Sequence, residues 1–441
     1  MRHTVRWLLS LAMLFGIVGV SGSPAAALPD NPIPDINARL AALPGVVSSR
    51  EITNSEHPDQ RAYEVRFEQL KDHQNPAAGT FQQLVVIHHR DDRLPTLLTP
   101  TQHGLSTPTG INFPKNDVWV EQRFFGTSQP SPKDLTKLDA RQAATDLHRV
   151  TVALKGIYGQ KWLSSGMGVT GQIATYHRRF FPADVQGTYV LGARNDVRND
   201  DDSAYDAFFA QVGTPECRAR IAAFQREALL RRDELVELYR QQAQLDGLSF
   251  ELIGSVDRAF ELSITDYMWK FWELKSERLC RTVPLPSATT AAVWSELRWT
   301  TTSYIRSDQH LRWDEQNLYL AGTQTGWPTV STPHLDDLLR YPGINNPRTF
   351  VDRGIPLPFD NGAMADIDRW VREESSEMIY IYGKTDPVSA EGFRVDGGSR
   401  DSKVYVGTKG GLAFLTPAEQ QEFTAKLKRW AGVADQPPAT G

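Results

Sequence analysis

Four short runs open the ordered pattern of this chain: Ala62–Phe67, Phe81–His88, Thr96–Gln102 and Val118–Phe124. Each is rich in β-branched and aromatic residues and is bounded by turn formers, which predicts early strands of a sheet. Residues 133–157 then change period. Leu135, Leu138, Ala143, Leu147, Val150 and Leu154 recur at three- and four-residue spacing, which predicts an amphipathic helix. The short run Lys161–Ser165, a glycine cluster, a helical stretch to Arg178 and the run Val185–Leu191 follow in that order. Strand, glycine turn, helix, strand is a βαβ unit, and it implies a parallel sheet.

The period shifts again over residues 203–345. Long amphipathic helical stretches dominate, including Cys217–Arg240 and Leu252–Glu277. They predict a helical cap (residues 201–345) inserted between two parts of a sheet core, residues 45–200 and 346–433. Strand and helix alternate once more near the end: Met364, Ile367 and Val371 stripe a helix, and Met378–Tyr382 and Lys403–Val406 read as strands. The last helix opens on Thr416-Pro417-Ala418-Glu419, a capping box with proline at the first helical position. Residues 434–441 read as a disordered tail.

The N-terminus follows neither pattern. Arg2 and Arg6 precede the apolar run Trp7–Val20, and Ala25-Ala26-Ala27 fits a small-residue cleavage site. Residues 1–27 therefore read as a secretory signal peptide, and the apolar run is short for a membrane span. Its removal subtracts two positive charges from a formal net charge of −5 and leaves about −7. No block of basic residues appears, which argues against nucleic acid as a partner, and no later run predicts a membrane segment. No cofactor motif is present, and no Cys/His cluster has zinc spacing, so no metal is expected. The two cysteines, Cys217 and Cys280, predict one disulfide in an oxidising compartment; two free thiols are the alternative.

The chemistry centres on Gly166-Met167-Gly168-Val169-Thr170-Gly171. A strand-to-helix turn of the form G-x-S-x-G lifts a nucleophilic hydroxyl above a sheet, beside backbone N–H donors, with an acid and then a histidine following in the chain. Here the central position is Gly168, which has nothing to attack with. Asp386, in Gly383-Lys384-Thr385-Asp386-Pro387 after a strand, is the candidate acid. The last histidine is His334, which precedes it, so no imidazole base follows. Val169 and the backbone at Gly104 are candidate oxyanion donors, and His103 is a candidate for shaping the pocket, with a satisfied loop histidine as the equal alternative. Ser164, Ser165 and Thr170 lie near the turn, with local structural roles as the simpler reading. The aromatic stretch Met268-Trp269-Lys270-Phe271-Trp272 nominates Trp269 and Trp272 as lining a cleft, with core packing as the alternative.

Ordered segments along most of the chain resemble the secreted bacterial prolyl tri- and tetrapeptidyl aminopeptidases, serine exopeptidases. They include Phe67-Glu68-Gln69-Leu70, Gly79-Thr80-Phe81-Gln82-Gln83, Arg123-Phe124-Phe125-Gly126, Tyr176-His177-Arg178-Arg179-Phe180-Phe181-Pro182, Glu216-Cys217-Arg218 and Asp386-Pro387. The resemblance implies an α/β-hydrolase core with a helical cap. It places the family's serine at Gly168, its aspartate at Asp386 and its histidine near Lys409 in Gly407-Thr408-Lys409-Gly410-Gly411, where a slip of one residue is open. The leading expectation is a secreted, inactive homologue that binds peptides or protein N-termini. The alternatives are a peptidase with an unorthodox nucleophile, for instance a Ser or Thr paired with Lys409, and an extracellular interaction scaffold.

Overall fold

A computed structural model describes residues 35–54, 60–103, 111 and 113–433. The expected signal peptide, the expected C-terminal tail and Gly104 all lie outside the described residues. The sheet and its helices all belong to one unit, Ile36–Gly441.

Nine strands form one sheet: β1 (Val46–Ile52), β2 (Arg61–Leu70), β3 (Thr80–His89), β4 (Thr96–Thr101), β5 (Asn116–Glu121), β6 (Trp162–Met167), β7 (Gly187–Leu191), β8 (Met378–Gly383) and β9 (Lys403–Gly407). Their order is β1-β2-β3-β5-β4-β6-β7-β8-β9. The first three strands and β5 pair antiparallel. From β5 to β9 every neighbouring pair is parallel. β8 is buried at all six positions, as a parallel strand covered by helices on both faces must be. This is an α/β-hydrolase core.

The short helix α1 (Ile36–Ala41) packs at the edge beside β1, and α2 (Ala140–Leu154) and α3 (Val169–Phe180) cover the sheet. Asp139 caps α2 by accepting the amide of Gln142. The buried stripe of α2 contains the predicted Ala143, Leu147, Val150 and Leu154, which join residues of β2, β3 and β5 in the main core. The opposite face of the sheet packs Leu163, Tyr189, Ile379 and Ile381 against Phe423, Leu427 and Trp430 of the last helix, Pro417–Ala431. That helix begins with the capping box anticipated at Thr416, both of whose hydrogen bonds are formed.

Between β7 and β8 the chain forms a helical insertion with its own apolar core. Both long helices read from the sequence are broken in two. Pro215–Leu230 and Arg232–Leu245 meet at Arg231, and Val256–Thr265 and Tyr267–Leu274 meet at Asp266. Neither break carries glycine or proline. Cys217 and Cys280 are joined in a disulfide, with Cα atoms 5.5 Å apart. β1 escaped the sequence reading because it is an edge strand with no fully buried position. The run Val118–Phe124 ends earlier than expected, since β5 stops at Glu121 and Phe124 has φ +69°.

Candidate functional site

β6 runs into α3 through a single residue, Gly168, with φ +55° and ψ −123°. Only glycine takes such angles freely. Its two companion glycines are needed for a different reason. A Cβ on Gly166 would lie 2.3 Å from the Thr170 carbonyl oxygen, and one on Gly171 would lie 2.5 Å from Val190 Cγ1. Both let strand and helix close on each other. A Cβ on Gly168 would meet nothing within 4 Å. The turn is therefore kept as a tight strand-to-helix corner with an empty seat at its apex.

The nearby hydroxyls are committed elsewhere. Ser164 Oγ bonds Thr188 Oγ1 at 2.8 Å and Ser165 Oγ bonds Thr99 Oγ1 at 3.1 Å, both buried inside the sheet. Thr170 Oγ1 accepts from the Met167 amide and donates to the Met167 carbonyl, each at 2.9 Å, which ties the corner to itself.

A cavity of about 360 Å³ opens at the corner and is lined by Gly168, Val169, Arg194, Glu273, Asp386 and Gly410, among others. Asp386 follows β8 and caps the short turn Pro387–Glu391, with Oδ1 accepting the Val388 amide at 3.1 Å. Burial raises its pKa above the ordinary carboxyl value; the Val388 amide opposes this, and the Glu273 charge adds to it. Its other oxygen, Oδ2, faces Gly410: a Cβ there would lie 3.3 Å away. Lys409, the position expected nearest the missing histidine, forms no ion pair with Asp386. A side chain built on residue 410, not 409, would meet the acid. The backbone of Lys409 and Gly410 packs against β8, where a Cβ on Gly383 would fall 2.2 Å from the Gly410 nitrogen.

Arg194, Glu273 and Val388 also line a second cavity, of about 330 Å³, together with Met268, Trp269, Trp327 and Ile344 of the insertion. Trp269 stands on the wall of this cavity. Trp272 does not: it is 2% exposed in the core of the insertion. There it packs against Gly213, whose absent Cβ would fall 2.3 Å from its ring. His103 lines neither cavity. It stacks on Trp313, ring centres 4.0 Å apart, meets Phe125 edge-on, and burial lowers its pKa. Asp201 and Asp202 have structural partners, accepting from the neighbouring Ser203 hydroxyl and from the distant Thr329 amide respectively.

Sequence reasoning missed Arg194 and Glu273. Arg194 had one available signal: it sits just past the carboxyl end of a parallel strand beside the corner, where ligands of open α/β sheets collect. Glu273 had none, since its place depends on how the insertion folds back.

Two solved structures are similar to this chain at a low level: the proline iminopeptidase of Mycobacterium smegmatis and a proline iminopeptidase-related protein of Thermus thermophilus. The first is 14% identical over 87% of this chain and 98% of its own, with a TM-score of 0.35. The second is 13% identical over 84% and 99%, with a TM-score of 0.33. Sequence comparison reaches further. A prolyl tri/tetrapeptidyl aminopeptidase of Streptomyces mobaraensis is 41% identical over 448 aligned positions, which cover 99% of this chain and 93% of that protein. The family model described as PS-10 peptidase S37 matches residues 30–439, and the chain belongs to that family.

Proposed function

We propose that this chain is a catalytically inactive member of the peptidase S37 family, exported from the cell, that binds peptides in the cleft between the sheet core and a helical cap of about residues 201–345. The observation that carries the reading is the empty apex at Gly168, on a corner whose backbone is otherwise intact. Acyl transfer needs an attacking oxygen and a base to take its proton. No histidine follows Asp386, and the residue that faces Asp386 across the cavity is Gly410. In a well-studied serine protease, loss of serine or histidine alone costs on the order of a millionfold in turnover. The relative's printed activity, removal of prolyl tri- and tetrapeptides, suggests the ligand class here, and the cavity beside Trp269 supplies apolar wall for it. Export is supported by the N-terminal charge and hydropathy pattern and by the Cys217–Cys280 disulfide.

The test is hydrolysis of Ala-Ala-Pro anilide by purified chain, run beside labelling with a fluorophosphonate probe and calorimetry with the unreactive peptide. The reading expects binding, no anilide release above the uncatalysed rate, and no label. Turnover at rates typical of a serine peptidase, or a probe adduct mapped to one serine or threonine, would overturn it.

A further inference from the structure

Arg194 stands at the junction of the two cavities and lines both. It is half-buried, and the carboxylates around it are otherwise engaged or out of its reach. Glu273 is held by Lys270 at 2.6 Å. Asp386 gives one oxygen to the Val388 amide and turns the other toward Gly410. The Arg194 charge acts on buried Asp196, yet neither Asp196 oxygen has a hydrogen-bond partner. Arg194 therefore brings to the cleft a guanidinium with no ion-pair partner among the described residues. Its planar fork of N–H donors matches a carboxylate.

We propose that Arg194 holds the free C-terminal carboxylate of a short peptide at the empty corner, with the preceding apolar side chains in the cavity beside Trp269. The proposal rests on the reading that the cleft binds peptides. A working serine peptidase must let the chain run past its nucleophile on both sides, because the scissile bond is internal. A chain with no nucleophile has no such need, and what matters is the chemistry of the group that stops at Gly168. A peptide that ends there presents a carboxylate to Arg194. A peptide that continues presents a neutral amide, and leaves a partly desolvated guanidinium without a counter-charge. The seat vacated at Gly168 gives the second carboxylate oxygen room. The ligand class is thus short, apolar peptides with a free C-terminus, chemically the released products of an active relative and not its substrates.

The experiment is calorimetry on the full mature chain with Ala-Ala-Pro as the free acid and as the C-terminal amide, repeated on Arg194→Gln and Arg194→Lys. A charge-assisted bidentate contact predicts acid binding on the order of tenfold or more tighter than amide. That gap closes in Arg194→Gln and partly survives in Arg194→Lys, while amide binding no weaker than the parent's, with an unchanged denaturation midpoint, shows that the variants are folded. Equal affinity for acid and amide in the parent, or a gap that survives Arg194→Gln, overturns the carboxylate site and leaves peptide binding standing. Failure of both ligands to bind overturns the peptide-binding reading as well.

Discussion

The corner where an attacking side chain would stand and the corner where its base would stand are built from different materials. At the first, everything that remains is backbone. Gly166, Gly168 and Gly171 shape a tight turn through close approaches and one positive φ, and the nearby hydroxyls face inward. At the second, a desolvated carboxyl, Asp386, faces a loop with no imidazole. Burial raises its pKa, and it likewise raises those of Glu391, at the end of the turn that Asp386 opens, and of Asp196, whose charge acts on Glu391. Loss of a side chain at a turn held by main-chain contacts leaves the turn standing. A carboxyl buried without a cation beside it is held above its ordinary pKa. The first corner is thus silent to pH and open to repair, and the second carries a titration signature.

The largest expected effect tests whether repair at both corners is enough. Gly168→Ser with Gly410→His should raise tripeptide anilide turnover on the order of a thousandfold or more above the parent, because serine and histidine act as a unit. Either substitution alone should stay near the background. Gly168→Ser with Lys409→His should also stay there, since residue 410 and not 409 faces Asp386 Oδ2. If the 409 pair recovered turnover and the 410 pair did not, the placement of the second corner would be wrong.

A smaller effect separates the glycines of the first corner. Gly166→Ala drives a methyl to 2.3 Å from the Thr170 carbonyl oxygen and should cost about 3 kcal/mol or more, as a clash with backbone that cannot step aside. Gly168→Ala meets open space and carries only the strain of a positive φ, about 1–2 kcal/mol. Chemical denaturation reads the order from the midpoints, provided the slopes agree. Equal costs would mean that the apex is as crowded as its flanks, and that a serine would not fit there.

How far these corners could be read from sequence follows from the same difference. The first was legible because its constraints are local: three glycines at fixed spacing between a β-type run and a helical one announce a strand-to-helix turn. The capping box at Thr416 and the acid after β8 were legible for the same reason. The second was legible in what it lacks, since no histidine follows Asp386, but not in its register. Thr408–Gly411 has no repeating backbone to fix which residue faces inward, so 409 and 410 cannot be told apart before the loop is seen. Trp269 and Trp272 pose the same problem in a helix: both sit on an apolar face, and only the packing of the insertion decides that one meets a cavity and the other Gly213. Arg194 belongs to no motif; its meaning comes from two cavities meeting.

The smallest expected effect concerns Glu391, at the end of the turn that Asp386 opens. Burial, with the Asp196 and Asp202 charges adding to it, pushes Glu391 from the usual 4.5 to about 7. The folded chain therefore holds a proton that the unfolded chain releases near its ordinary value. Between about pH 4.5 and 7 the native state binds more protons, so this group's contribution to stability is fully present below that window and is lost as pH rises through it. Glu391→Gln keeps the shape of the protonated acid without its ionisation. The variant should match the parent in denaturation midpoint at pH 4.5 and exceed it modestly at pH 8, the gain being limited because Glu391 is only half-buried. The offset of Gly168→Ala from the parent should instead stay constant over the same range, since no ionisable side chain shapes that turn. A Glu391→Gln offset that did not vary with pH would mean that the turn after Asp386 is no more electrostatic than the first corner, and the contrast between them would fail.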